Sequence, residues 1–464
     1  MQFDIVIKNL GKIREANVKI RPFTVIAGKN SSGKSFITKS LYSFFSTVNV
    51  DHVSTKTFSH IESIKQISSY LNRKVTRLSQ VETYLFSDLF ENIENLQNGI
   101  ENVFSCNTLS NQILKTHLLK ESVLNLENSF RSLSNEIKGK RKFAFAENEL
   151  EVFNSLILGL KQIVTSPNAC LIDEVNKGFI DSLKENFQVS LLSELKNNRL
   201  PNEKIISFNF DKLGSVNIIG ENLSFKLNNS NGVDEIQQLH NVVYLESPIY
   251  WKLKNALEKL EINRNFLRFR SHDRKVMLSG VPKYFYDLVK LISSQAKDIQ
   301  IIKLYDDINS EIGGEIVISN SGELSFAEKG LTTPISLHNT ALGVTNLGII
   351  SLLLKKGILS KGSFLFIDEP EAHLHPSWQK TMVDTLYALS KNGVNIVIAS
   401  HSVDMMKCIE NIMEKFPEDD LDAHFGINQL SVNGESMEND SYPLRKIALI
   451  QEDLGQSFYD MFME

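Results

Sequence analysis

One loop constrains this chain more than anything else in it: Gly28-Lys29-Asn30-Ser31-Ser32-Gly33-Lys34-Ser35, set between a short apolar run and an amphipathic stretch. It fits G-x-x-x-x-G-K-[ST] in a context that gives the pattern mechanical meaning. Phe23–Ala27 reads as a buried strand, and the run FITKSLYSFF after Ser35 reads as a helix. Glycines let backbone wrap a β-phosphate, so that amide N–H groups and a helix N-terminus face the negative charge. Gly28, Asn30, Ser31, Ser32, Gly33, Lys34, Ser35 and Phe36 are therefore the expected nucleotide-binding residues of the loop. Lys34 would reach the β- and γ-phosphates, and the Ser35 hydroxyl would ligate Mg²⁺.

A second element lies far downstream. Phe364-Leu365-Phe366-Ile367 is an apolar run suited to a strand buried on both faces, and it ends in Asp368-Glu369. Adjacent carboxylates at a buried strand end are costly unless a metal or a reaction uses them. Asp368 is expected to hold Mg²⁺, and Glu369 to polarise the attacking water. Pro376 suits the first turn of the next helix, whose core face is Met382, Leu386 and Leu389, and Gly393 closes it. Val394–Ala399 is again a buried strand, ending in Ser400-His401-Ser402, with His401 placed to donate to a γ-phosphate. His373 and His375 have no third ligand nearby and are read as structural. The expected chemistry is hydrolysis of ATP with Mg²⁺.

Composition limits the alternatives. Of 464 residues, 42% are hydrophobic and 23% charged, ordinary for a globular protein. No apolar stretch reaches the roughly 20 residues of a membrane span. MQFDIVIKNL reads as a first strand and not a secretory leader, so a cytoplasmic location is expected, with Cys106, Cys170 and Cys408 as reduced thiols. A net charge of −5 excludes a polyanion binder over the whole surface. Two local stretches remain candidates for nucleic acid: Arg264, Phe266, Arg268, Phe269, Arg270, Arg274 and Lys275, and the run Lys138–Lys142 at an expected hairpin tip. Residues 46–204 have a helical texture, with a loose heptad at Leu71, Val75, Leu78, Leu85, Leu89, Leu96 and Val103 that Glu82, Asn92 and Gly99 interrupt. They are expected to form a helical insertion or short hairpin within an ATPase head made of 1–45 and 205–464. Strands are expected over 205–227, at Val242–Leu245, and as a hairpin around Asn320-Ser321-Gly322.

The opening IKNLGKIREANVKI before the phosphate loop, the segment IDEPEAHLHP and the later ASHS resemble the ABC-type ATPases of the SMC, RecF and OLD group. Within that group the chain looks most like stand-alone phage-defence ATPases such as the ATPase subunits of Septu and PARIS. The resemblance covers roughly 1–45 and 240–464. It implies an α/β P-loop NTPase of ABC/SMC-like type, with a mixed sheet, an antiparallel β subdomain and a helical insertion. It also implies a homodimer or larger oligomer, in which ATP is held between one copy's phosphate loop and another copy's signature loop. That loop maps to Asn339–Asn346, with Thr340 and Gly343 as its expected contacts; Ala341 stands where the family usually has serine. His375 stands where transporter-like proteins place an aspartate, and Leu-His-Pro there is typical of the OLD-like branch. Glu246-Ser247-Pro248 is a candidate Q-loop, with a plain strand-end turn as the equal alternative.

For function the resemblance implies a sensor or scaffold subunit of an antiphage system controlling a separate nuclease-type effector. The stretch after His401 is too short for the Toprim domain of OLD nucleases. Two alternatives stay open: a DNA-repair ATPase acting directly on DNA, and an ATP-bound scaffold with little turnover, which Ala341 keeps alive. A transport ATPase is disfavoured, because LSGGQ is absent and the helical insertion is foreign to that branch.

Overall fold

The computed structural model describes residues 2–75, 77–105, 109–228, 239–254, 257, 280–293, 302–319, 322–437 and 442–463. The basic–aromatic stretch from Arg264 to Lys275, and Cys106, lie outside these residues. Two compact units emerge: a head of 1–47, 178–229 and 239–464, and a helical unit dominated by 48–177.

In chain order the strands of the head are β1 (Phe3–Leu10), β2 (Ile13–Ile20), β3 (Phe23–Gly28), β4 (Ile205–Phe210), β5 (Gly214–Ile219) and β6 (Asn222–Leu227). They continue as β7 (Val242–Leu245), β8 (Gly314–Ile318), β9 (Leu324–Glu328), β10 (Ile335–Ser336), β11 (Phe364–Asp368), β12 (Asn395–Ser400) and β13 (Phe425–Leu430). Three sheets result. Strands β13-β3-β12-β11-β7 form a parallel sheet, β2-β1-β4-β5-β6 an antiparallel one, and β10-β9-β8 a small antiparallel one.

Burial explains the division. Every residue of β3, β11, β12 and β13 is buried, as strands covered on both faces require, and the first three are largely apolar runs. Strand β1 instead alternates buried and exposed positions and shows only one face to a core. The aromatic side of that core is dense: Phe44 stacks on Phe210 at 4.4 Å, and Phe45 on Phe364 at 5.1 Å.

The helical unit packs helices His52–Lys74, Gln80–Phe104, Lys120–Ile137 and Glu147–Thr165 around Leu71, Leu89, Leu96, Leu126, Leu133 and Ile157. It is a compact bundle, and the three interruptions of the heptad each have a use in it. Glu82 is fully buried at the start of its helix. The Asn92 amide donates to Ser129 Oγ at 2.8 Å on the neighbouring helix. At Gly99 a Cβ would stand 3.0 Å from Leu119, so the glycine admits a close approach. The unit ends at Lys177, earlier than the sequence pattern suggests. From Gly178 onward helix Pro167–Phe187 belongs with the head, where Phe179 meets Phe44 edge-on at 5.5 Å and the Asn186 amide donates to Ser43 Oγ at 2.8 Å. An amphipathic pattern does not say which body a helix face will pack on.

Among the described residues no single helix is long and apolar enough to cross a membrane. Cys170 is buried and Cys408 half-buried, both as free thiols.

Candidate nucleotide site

Strand order assembles the site. Because β3, β12 and β11 are parallel neighbours, Asp368 lies level with Ala399, and Ala399 with Ile26. The loop leaving β3, the acids ending β11 and the Ser400-His401 corner ending β12 therefore meet at one edge. That edge is the carboxyl side, where open α/β sheets bind ligands.

The loop turns sharply. Ser31 has φ 65°, and Gly33 has φ 102° with Ile13 Cδ1 only 2.5 Å from where a Cβ would be. Helix Lys34–Val48 starts directly from it, so its first N–H groups face the loop's interior. Lys34 is nearly buried, and its ammonium donates to the carbonyls of Gly28 at 2.8 Å and Lys29 at 3.1 Å. Burial lowers its pKa, and the negative charges of Asp368, Glu369 and Glu371 oppose that. The Phe36 amide bonds the Gly33 carbonyl at 3.0 Å, and its ring stacks on Phe187 at 5.3 Å.

Asp368 is 6% exposed. Its Oδ2 accepts from Tyr244 at 3.2 Å, while its buried Oδ1 has no partner among the described residues. Burial raises its pKa, and the nearby Ser35 hydroxyl works against the rise. A buried carboxylate oxygen left unmet beside a serine hydroxyl at a helix start is a donor set suited to Mg²⁺. Ser35 and Asp368 would hold the ion, which would neutralise phosphate charge.

Glu369 has φ 53°, a costly conformation for a non-glycine residue, and leaves its carboxylate half exposed at the rim. Glu371 is buried. Its Oε1 accepts from Ser400 Oγ and from the His401 amide, both at 2.9 Å. His401 Nδ1 then lies 3.3 Å from Glu371 Oε1 and 3.7 Å from Glu369 Oε1, at the charged rim. Lys34, Ser35, Asp368, Glu369 and His401 thus lie together at one edge of the sheet.

Three residues escaped the sequence reading. Glu371 holds the corner that aims His401. Tyr244, fully buried, shares its hydroxyl between Thr38 Oγ1 at 3.1 Å and Asp368. Tyr284 bonds Glu246, which also pairs with Lys39 at 2.9 Å. The only sequence signal for Tyr244 was a polar tip inside the apolar strand VVYL. Glu246 sits one residue beyond β7, the neighbour of β11, and its charge is felt at Asp368.

The signature-loop residues are placed elsewhere. Helix Leu342–Lys355 already begins within Asn339–Asn346, and its N-cap Ala341 supplies no side-chain cap. Thr340 is buried and donates to the Ser336 carbonyl at 3.1 Å. Gly343 lies against the His373 carbonyl and Leu374, with 3.1 Å left for a Cβ. His375 caps helix Pro376–Lys391 by accepting from the Ser377 amide, and among the described residues no cluster of His, Cys, Asp and Glu is arranged for a metal.

A family model described as an AAA ATPase domain matches residues 2–406. The chain belongs to this family. The ATPase is 30% identical to "Retron Vc95 probable ATPase" of Vibrio cholerae over 182 residues, 38% of this chain and 32% of that protein. It is 41% identical to the "Old nuclease" of Escherichia phage P2 over 44 residues, 10% of this chain and 8% of that protein. The match thus spans about a third or less of the length of these curated relatives. Among solved structures, an SMC head bound to the C-winged helix domain of ScpA covers 94% of this chain and 95% of its own at 11% identity and TM-score 0.37. The SMC head of Thermotoga maritima covers 88% and 92% at 11% identity and TM-score 0.33. The family is thus that of the AAA-type P-loop ATPases.

Proposed function

We propose that this ATPase works as a nucleotide-gated homodimer or higher oligomer, as the sensor or scaffold subunit of a bacterial antiphage system that controls a separate nuclease-type effector. The observation that carries the gating is the placement of two half-sites. Lys34, Ser35, Asp368, Glu369 and His401 form one edge, open at the exposed Glu369. The N-terminus of helix Leu342–Lys355, uncapped by any side chain, makes its own contacts elsewhere. Uncapped helix N–H groups favour an anion. A second copy would present them to the γ-phosphate lying over Glu369, in the ABC-type manner.

The chain's own groups then divide the work. The loop amides and Lys34 bind the phosphates. Glu369 accepts a proton from the attacking water, and His401, steadied by Glu371, donates to the γ-phosphate. Mg²⁺, when bound at Ser35 and Asp368, supplies charge neutralisation. Loss of the γ-phosphate removes the group both copies hold, and the sandwich opens. The antiphage role rests on the sequence resemblance to stand-alone phage-defence ATPases and on similarity to a retron ATPase and a phage Old nuclease. The finer Septu or PARIS likeness belongs to the same reading.

Turnover and oligomeric state of the wild type, Lys34→Ala and Glu369→Gln test it. Both variants should lose at least about a hundredfold in phosphate release, the scale of a missing general base. Glu369→Gln should accumulate an ATP-bound oligomer that Lys34→Ala cannot form. A wild type that assembles on ATP yet scarcely hydrolyses it favours a second reading, an ATP-bound scaffold, for which Ala341 at the N-cap is the specific observation.

A further inference from the structure

Two basic runs that are far apart in sequence meet at one end of the helical unit. Arg73 and Lys74 close helix His52–Lys74 with Arg77 just beyond it, and Lys138, Lys140, Arg141 and Lys142 follow helix Lys120–Ile137. The Lys142 ammonium donates to the Arg77 carbonyl at 3.2 Å, which fixes the two runs side by side. Part of this charge is structural: Lys140 and Lys142 both pair with the buried Glu82. Arg73, Arg77, Lys138 and Arg141 are exposed and enter no ion pair among the described residues. On a chain of net charge −5 this is a marked segregation of positive charge.

Aromatic rings stand among these cations. Tyr70 is 42% exposed, and Phe145 meets it edge-on at 6.0 Å. The Lys74 ammonium lies 4.8 Å from the Tyr70 centroid and 4.5 Å from that of Phe145. Cations that track phosphates, with an exposed ring between them, are what unpaired bases need. A duplex keeps its bases stacked and offers such a surface only phosphates and groove edges.

We infer that this end of the helical unit binds single-stranded nucleic acid without strong sequence preference, through Arg73, Arg77, Lys138 and Arg141 on phosphates and Tyr70 under a base. The site shares no residue with the nucleotide site and does not depend on the gated-dimer reading.

The test is fluorescence anisotropy of the full-length protein with a labelled mixed-sequence single strand of about 30 nucleotides, longer than a typical single-strand site. A matched duplex serves as the comparison. Lys140 and Lys142 are left in place because Glu82 needs them. The combined variant Arg73→Glu, Arg77→Glu, Lys138→Glu and Arg141→Glu should bind at least about tenfold more weakly. Its slope of log affinity against log salt should shrink by about 3, four phosphate contacts at roughly 0.7 each. Tyr70→Ala should lose about fivefold or more on the single strand and nothing on the duplex. The inference is overturned if the wild type does not bind the strand at low salt. It is equally overturned if the charge-reversed protein, with wild-type melting and ATP turnover, binds as before. Phosphatidylserine vesicles displacing the strand as effectively as unlabelled strand would make the surface a lipid contact and also overturn it. An unchanged Tyr70→Ala removes the stacking role and with it the single-strand assignment.

Discussion

Asp368 in the head and Glu82 in the helical unit are both all but removed from water, at 6% and 0% exposure, yet their surroundings differ. Glu82 has its needs met. One oxygen accepts from the Ser79 amide in a capping box, and Lys140 and Lys142 pair with the carboxylate. Burial alone would raise its pKa, but hydrogen bonds from Lys142, the Ser79 amide and Lys140 hold it down at about 2. Asp368 accepts from one tyrosine, and has an orphaned oxygen and a pKa that burial pushes up. A satisfied buried charge marks a strut. An unsatisfied one beside the phosphate loop is a candidate ligand for a cation.

Asp368→Asn should therefore act in two directions at once, and its effect is the largest expected. Turnover should fall by at least about a hundredfold, because a direct support of the phosphate charge is lost. The nucleotide-free protein should become more stable by about 1 kcal/mol, since a poorly compensated buried charge is gone. Phosphate release and denaturant melts of the same preparation check both. Loss of turnover together with loss of stability would mean that Asp368 is a strut as well, and the contrast with Glu82 would fail.

Tyr244→Phe sharpens the same contrast with a smaller effect. The hydroxyl joins Thr38, on the helix that follows the phosphate loop, to Asp368 at the end of β11. Groups that orient a metal ligand typically matter by about ten- to a hundredfold in activity or metal affinity. We expect about a tenfold fall in turnover and a raised half-saturating Mg²⁺ concentration. Stability should fall by about 1 kcal/mol, because buried Asp368 Oδ2 loses its donor while Thr38 keeps backbone carbonyls within reach. A proportional loss at saturating Mg²⁺, with no shift in the Mg²⁺ titration, would separate Tyr244 from the metal and leave it a packing residue.

The contrast also shows what was legible beforehand. Lys34 and Ser35 could be read from the glycine spacing of the loop, and Asp368, Glu369 and His401 because they follow apolar runs, where a polar residue has no packing reason to be. Four of the parallel strands, β3, β7, β11 and β12, showed as short apolar runs, whereas β13, with Asn428 and Gln429 inside it, did not. Glu82 could not be read: in a helical pattern a charged residue looks like a solvent-facing break, and the lysines that justify its burial lie in another helix–turn segment. Thr340 and Gly343 were assigned by resemblance, and only the fold reveals that the threonine hydroxyl is spent on the Ser336 carbonyl. The junction at Lys177 was equally silent, since it depends on Phe179 and Asn186 finding the first helix of the head.

The smallest expected effect concerns Glu82→Gln, which keeps a side chain able to bond the Ser79 amide and removes only the charge. Lys140 and Lys142 are each more than a third exposed, so solvent screens the pairs and the loss at neutral pH should be about 1 kcal/mol. Its pH dependence carries the information. The folded pKa lies below the ordinary value of 4.5, so the folded state binds its proton less readily than the unfolded chain. The stabilisation is complete above about pH 4.5 and disappears as pH falls through about 2, because stability rises with pH wherever the unfolded state holds more protons. Melting wild type and Glu82→Gln from pH 7 down to 3 should therefore show a constant gap that narrows only in the most acidic samples. A gap that widens on acidification would put the folded pKa above the unfolded one, and Glu82 would then be an unmet buried charge of the same kind as Asp368.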